Sequence, residues 1–202
     1  MSFETPAPQT DLVALLGSRL CHDLISPLGA IGNGVELLAM SGTGMSPELQ
    51  LIAESVNAAN AKLKFFRVAF GKAGAEQRIG RPEIVALLDE MSRTGRLRLV
   101  WEAEGDHARA QVKLAFLAVL CLETALPFGG TVQISTDGTG GWRVAGEAQR
   151  TKPDPALWSV LEGAAHEVPP AQVQFPLLAE AAAALGRKPR WQVNETQAII
   201  EI

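Results

Sequence analysis

Between Leu12 and Met40 the apolar residues Val13, Leu16, Leu20, Leu24, Leu28, Ile31, Val35 and Leu38 recur every three or four positions. That spacing places them on one face of a long helix, and the face needs a partner. Residues 41–46 (SGTGMS) read as a turn, and Ser46-Pro47-Glu48 is an N-cap followed by proline at the first helical position. A second helix begins there and keeps the rhythm through Leu49, Ile52, Val56, Ala59, Leu63, Phe66 and Phe70. Residues 1–72 are therefore predicted to form an antiparallel helical hairpin with one continuous seam. Two helices alone rarely bury such a stripe. Pairing two hairpins about a twofold axis into a four-helix bundle does so economically, which predicts a homodimer.

The stretch GKAGAEQRIGRP at 71–82 carries three glycines and a proline without periodicity, and it places a linker at 73–82. From 83 to 202 the pattern changes. Helices are predicted at 83–92, 109–126, 154–163 and 173–186, and strands at 97–102, 131–136, 142–148, 190–194 and 198–202, with a turn at 137–141. Strands and helices in that order predict an α/β sandwich with helices on one face of a mixed sheet, so the chain as a whole is α+β.

Composition narrows the partners. The 202 residues suffice for one or two compact units, and 47% hydrophobic with 20% charged residues is a globular balance. Eighteen basic against 22 acidic residues give a net charge of -4, which supplies no cationic field for nucleic acid or anionic lipid. No window holds 18 uninterrupted apolar residues, and MSFETPAPQTD lacks the regions of a signal peptide, so a soluble cytoplasmic protein with no membrane partner is expected. Cys21 and Cys121 lie inside apolar runs and read as buried thiols. With His22, His107 and His166 they show no ligand spacing, so no metal is expected. His107 and His166 fall in predicted loops, and Trp101, Trp142, Trp158 and Trp191 read as core or interface aromatics.

One residue stands out. His22 lies two positions from Leu20 and two from Leu24, each separation turning about 200° round a helix, so it faces away from the seam. Asp23 follows it, and Pro27 stands within the helix at a cost of about 3 kcal/mol, with Gly29, Gly32 and Gly34 adding about 1 kcal/mol each. Residues 26–34 are either a loop between two shorter helices or a continuous helix. In the second case Ser26, Gly29, Ala30 and Asn33 make a shallow track within about 80° of His22. Counting back from the turn puts Lys62, Lys64 and Arg67 level with His22. With Arg19 they gather positive charge that would stabilise an anion such as a phosphoryl group.

The string CHDLISPLGAIGNGVELL, Cys21 to Leu38, resembles the H-box of sensor histidine kinases, in which a phosphoacceptor histidine is followed by an acidic residue and, four residues later, by Pro-Leu. His22, Asp23, Pro27 and Leu28 match that pattern. The remainder resembles in outline a Bergerat (GHKL) catalytic domain, but three nucleotide-binding elements are missing. The helix at 109–126 has no asparagine, the strand at 142–148 runs into VAGEAQRTK rather than an Asp-x-Gly-x-Gly loop, and HEVPPAQVQF stands where a second glycine-rich loop belongs. An intact H-box beside a degenerate ATP domain is similar to the alphaproteobacterial ChpT-type histidine phosphotransferases, as are Leu126 to Val132 and Val173 to Phe175.

That resemblance implies a phosphorelay carrier that takes a phosphoryl group from the receiver-domain aspartate of one response regulator and hands it to another. His22 would be the phosphoacceptor and Asp23 would orient its imidazole. Arg19, Lys64 and Arg67 would lend charge to the phosphoryl group, and Ser26, Gly29, Ala30 and Asn33 would seat the receiver. No cofactor of its own is implied: Mg²⁺ would come with the partner receiver, and no ATP is expected. Residues 83–202 would be a degenerate histidine-kinase ATPase-like domain. Two rival readings are an ATP-dependent sensor-type histidine kinase and a non-catalytic dimeric scaffold.

Overall fold

The computed structural model describes residues 9–43, 46–74, 76–137 and 140–202. Helix α1, Gln9–Leu38, runs unbroken with Pro27 inside it, so the loop reading of 26–34 is set aside. The proline has no N–H for the Asp23 carbonyl, and the helix continues regardless. It ends in a π-helical stretch, Ala39–Thr43; residues 44–45 of the expected turn lie outside the described residues. Helix α2, Pro47–Ala69, starts where predicted, with the Ser46 hydroxyl accepting from the Leu49 amide at 3.3 Å.

The two helices pack antiparallel along a different stripe from the predicted one. Gly17 lies against Phe70 and Gly32 against Val56, and Ala14, Cys21 and Val35 are the buried apolar residues of α1. Measured from Cys21, Val13, Leu16, Leu20, Leu24, Ile31 and Leu38 are turned about 60–140° away, and all of them are exposed. Of the eight predicted seam residues only Val35 is buried, with Leu28 half-buried. The reason is steric. Small residues on α1 admit the bulky Phe70 and Val56 of α2, and the larger leucines are left facing outward. By length and mean hydropathy the span Leu12–Ser41 is long and apolar enough to cross a membrane.

Beyond the hairpin, β1 (Arg78–Ile79) pairs antiparallel with β3 (His107–Ala108), so the expected linker carries a strand and His107 lies in a strand rather than a loop. Helix α3 spans Arg81–Thr94. A five-stranded sheet has the order β2 (Leu97–Trp101), β4 (Gly130–Thr136), β5 (Trp142–Glu147), β7 (Gln197–Glu201), β6 (Arg190–Val193). β2 runs parallel to β4, and the other pairs are antiparallel. Thr136 faces Trp142 across the predicted hairpin, whose residues 138–139 lie outside the described set. Helix α4, Arg109–Ala125, packs on the sheet with eleven buried residues. Gly146 lets it come close, since a Cβ there would lie 2.7 Å from Leu126 Cδ1. Helices α5 (Pro155–Ser159) and α6 (Gln174–Ala184) complete the layer, with 3-10 turns at Val160–Glu162 and Pro170–Gln172.

The base of the hairpin shares this core. Phe65, Val68 and Ala69 of α2 belong to the same hydrophobic cluster as α4 and the sheet. The Phe65 ring stacks on Phe116 at 4.3 Å and 4°. Trp101, Trp142 and Trp158 are buried and Trp191 packs against the cluster, in keeping with core aromatics.

Candidate functional site

His22 lies about 100° round α1 from the seam residue Cys21, and its side chain is 82% exposed. Its Nδ1 is 3.1 Å from Asp23 Oδ1, and Arg19 Nε donates to Asp23 Oδ2 at 2.7 Å. An ionised carboxylate only accepts, so the contact holds a proton on Nδ1 and leaves the Nε2 lone pair facing solvent. The His22 hydrogen bond, and after it the Arg19 guanidinium, hold the Asp23 carboxyl below the usual carboxylate range against opposing desolvation. Asp23 therefore stays anionic throughout the neutral range.

The circumference of α1 divides into three flanks. The seam faces α2. The exposed leucine stripe is turned about 60–140° to one side of it and the His22 flank about 80–140° to the other. Ser26, Gly29 and Asn33 share the His22 flank and Ala30 lies opposite the seam. Ser26, Ala30 and Asn33 are exposed and Gly29 is half-buried. At Gly29 an added Cβ would meet nothing within 4 Å, so no packing among the described residues calls for glycine there.

In an antiparallel pair, equal turns from the seam on the two helices fall on the same side. Lys64, about 80° from Val56 on α2, thus shares the His22 flank. Its Nζ bonds both Glu90 oxygens on α3, at 2.8 and 3.1 Å, so that charge is already taken, as is Arg19's by Asp23. Lys62 turns to the opposite flank. Arg67 makes no ion pair among the described residues. Its charge draws the Cys21 thiol down, against the burial that raises it more strongly, and its place about 20° round α2 from Val56 sets it beside the seam. The four-cation cluster expected from counting along the helices is therefore dispersed, Lys62 and Arg67 being the members that make no ion pair among the described residues and Arg67 the one of the two that is not turned to the opposite flank.

A cleft of about 800 Å³ lies between α2 and α3, and Lys64, which shares the His22 flank, lines it with Asn57, Asn60, Glu90 and Arg93. Below it the hairpin is tied to α4. Arg109 Nη2 donates to the Arg67 carbonyl at 2.7 Å and its Nε to the Lys72 carbonyl at 3.3 Å, while Lys113 Nζ reaches the Gly71 carbonyl at 3.0 Å. Cations here satisfy the carbonyls left open at the end of α2 and complement its dipole. Local spacing does not signal these residues, because each partner is at least 37 positions away in the chain. Among the described residues no three His, Cys, Asp or Glu side chains converge as metal ligands.

A profile of the histidine phosphotransferase C-terminal domain matches residues 81–197, from the start of α3 into β7. The chain belongs to the histidine phosphotransferase family. It is 38% identical over 141 residues to the protein phosphotransferase ChpT of Brucella abortus (strain 2308), covering 69% of this chain and 67% of that one. A solved bacterial phosphotransferase aligns over 99% of both chains with a TM-score of 0.71 and 28% identity. The α+β arrangement of this histidine phosphotransferase is thus that of a known phosphotransferase fold, and its activity is histidine phosphotransfer within a phosphorelay.

Proposed function

We propose that His22 is the phosphoacceptor, taking a phosphoryl group from a receiver-domain aspartate of one response regulator and passing it to another. The supporting observation is the pair His22–Asp23, with Nδ1 held by the carboxylate and Nε2 open to solvent on an exposed flank. Nε2 attacks phosphorus, the P–N bond forms, the acyl phosphate P–O bond breaks and the aspartate leaves as carboxylate. The ring becomes more cationic as the bond forms, and Asp23 offsets that charge through the Nδ1 proton. The second transfer is the reverse. Arg67, whose charge no carboxylate takes among the described residues, is the cation that supports the phosphoryl group better than Arg19 or Lys64; Mg²⁺ arrives with the receiver. The receiver lies along Ser26, Gly29, Ala30 and Asn33, where small side chains admit a close backbone, and meets the cleft between α2 and α3.

The exposed leucine stripe of α1 is the seam of a homodimeric four-helix bundle. Lipid is a poor alternative partner, because Arg19, His22 and Asp23 occupy the middle of the same helix and ionisable groups at membrane depth are costly. The C-terminal unit is a Bergerat-like sandwich that does not use ATP: α4 offers apolar residues where a kinase has its asparagines. A cytoplasmic carrier without nucleic-acid contacts follows. To test the assignment, the protein is mixed with a receiver domain carrying labelled phosphoryl aspartate. Label should move to wild type and not measurably to His22→Ala; equal labelling of both would refute it.

A further inference from the structure

A short polar path joins His22 to the C-terminal domain. Ser18, one turn before His22, donates to the Ala14 carbonyl at 2.9 Å and accepts the Lys72 amide at 3.0 Å. Gly71 lies between, where a Cβ would collide with the Arg67 carbonyl and stand 3.2 Å from Ser18 Oγ. The carbonyls of Arg67, Gly71 and Lys72 then receive Arg109 and Lys113 from α4. Arg109 is itself pinned, its amide bonded to the Gln77 carbonyl at 2.8 Å. Its guanidinium is pushed below the ordinary arginine range by burial first and by the charge of Arg67 second, with Glu83 opposing. A helix end facing solvent is closed by water without burying a cation beside another one. The arrangement therefore does more than close α2: it ties α4, and through it the C-terminal domain, to the end of the hairpin one turn from His22, while α3 packs directly on α2 and β2.

We propose that Arg109 and Lys113 are positioning residues for phosphotransfer, locking the two halves of the chain so that a receiver meets one preformed surface made of the His22 flank and the α2–α3 cleft. The inference rests on the receiver-docking reading above. Neither residue touches the phosphoryl group; both act through the end of α2. A preformed surface spares the receiver the cost of ordering it on association. Loosening the junction therefore weakens docking and leaves the chemistry at Nε2 alone.

Two donors separate these effects in the full chain. Phosphoramidate labels an accessible imidazole without docking, whereas a phosphorylated receiver must dock. Arg109→Ala and Lys113→Met should each raise KM for the receiver about 10-fold, with kcat and phosphoramidate labelling unchanged and Arg109→Lys recovering part of the loss. Unchanged KM in both variants, once thermal unfolding shows them folded, overturns the proposal. So does a parallel loss of phosphoramidate labelling, which would mean that the junction shapes His22 itself. If wild type takes phosphoramidate but nothing from a receiver, the docking reading fails and this inference falls with it.

Discussion

Helices α1 and α4 are both long and apolar, yet they meet opposite fates. α4 buries eleven of its seventeen residues among the sheet, α6 and α2. α1 has Ala14, Cys21 and Val35 as its buried apolar residues and leaves Leu16, Leu20, Ile31 and Leu38 in solvent. The two sequences look alike in hydropathy, and the surroundings differ. α4 has three neighbours to fill its circumference. Among the described residues α1 packs along α2 alone, and the remainder of its circumference is the face that the proposed function gives to a second copy of the chain and to the receiver. The element most suited to a nucleotide in a kinase is sealed by packing, and the exposed element is the one to which the proposed function assigns the chemistry.

Substitutions on the two helices should therefore fail differently. Phe116→Ala removes the ring stacked on Phe65 and opens a cavity at the junction of both halves, with an expected loss of about 3–5 kcal/mol in denaturant unfolding. On the exposed stripe, Leu20→Asp should barely move the folding of a monomer but weaken dimerisation at least about 100-fold, since a twofold interface feels the change twice. Light scattering would read the fall in mass; an unchanged mass, or a loss of folding as large as that of Phe116→Ala, would erase the distinction between the helices. The smallest effect belongs to the half-exposed Lys64–Glu90 pair, where Lys64→Met should cost no more than about 1 kcal/mol.

Much of this was legible in the sequence. Serine before proline announced the start of α2, and the long apolar run announced α4, because caps and helical periodicity are local signals. The H-box residues His22, Asp23 and Pro27 pointed to the candidate site for the same reason. Which stripe of α1 meets α2 was not legible: Val13–Leu38 and Ala14–Val35 have the same period, and the choice is made by Phe70 and Val56, residues from another helix. The charge cluster failed similarly. Counting along a hairpin gives the height of Lys62 and Lys64 but not their flank, and Glu90, which takes Lys64, arrives 26 positions later. Arg109 and Lys113 were invisible for a related reason, since they act on backbone carbonyls that carry no side-chain signature.

The most direct measurement locates the phosphoryl group. After reaction with a phosphorylated receiver, ³¹P NMR and peptide mapping should find one acid-labile phosphohistidine, on Nε2 of His22, with no requirement for ATP. Label on another residue, or label that appears only when ATP replaces the receiver, would contradict the division between an exposed catalytic helix and a sealed domain.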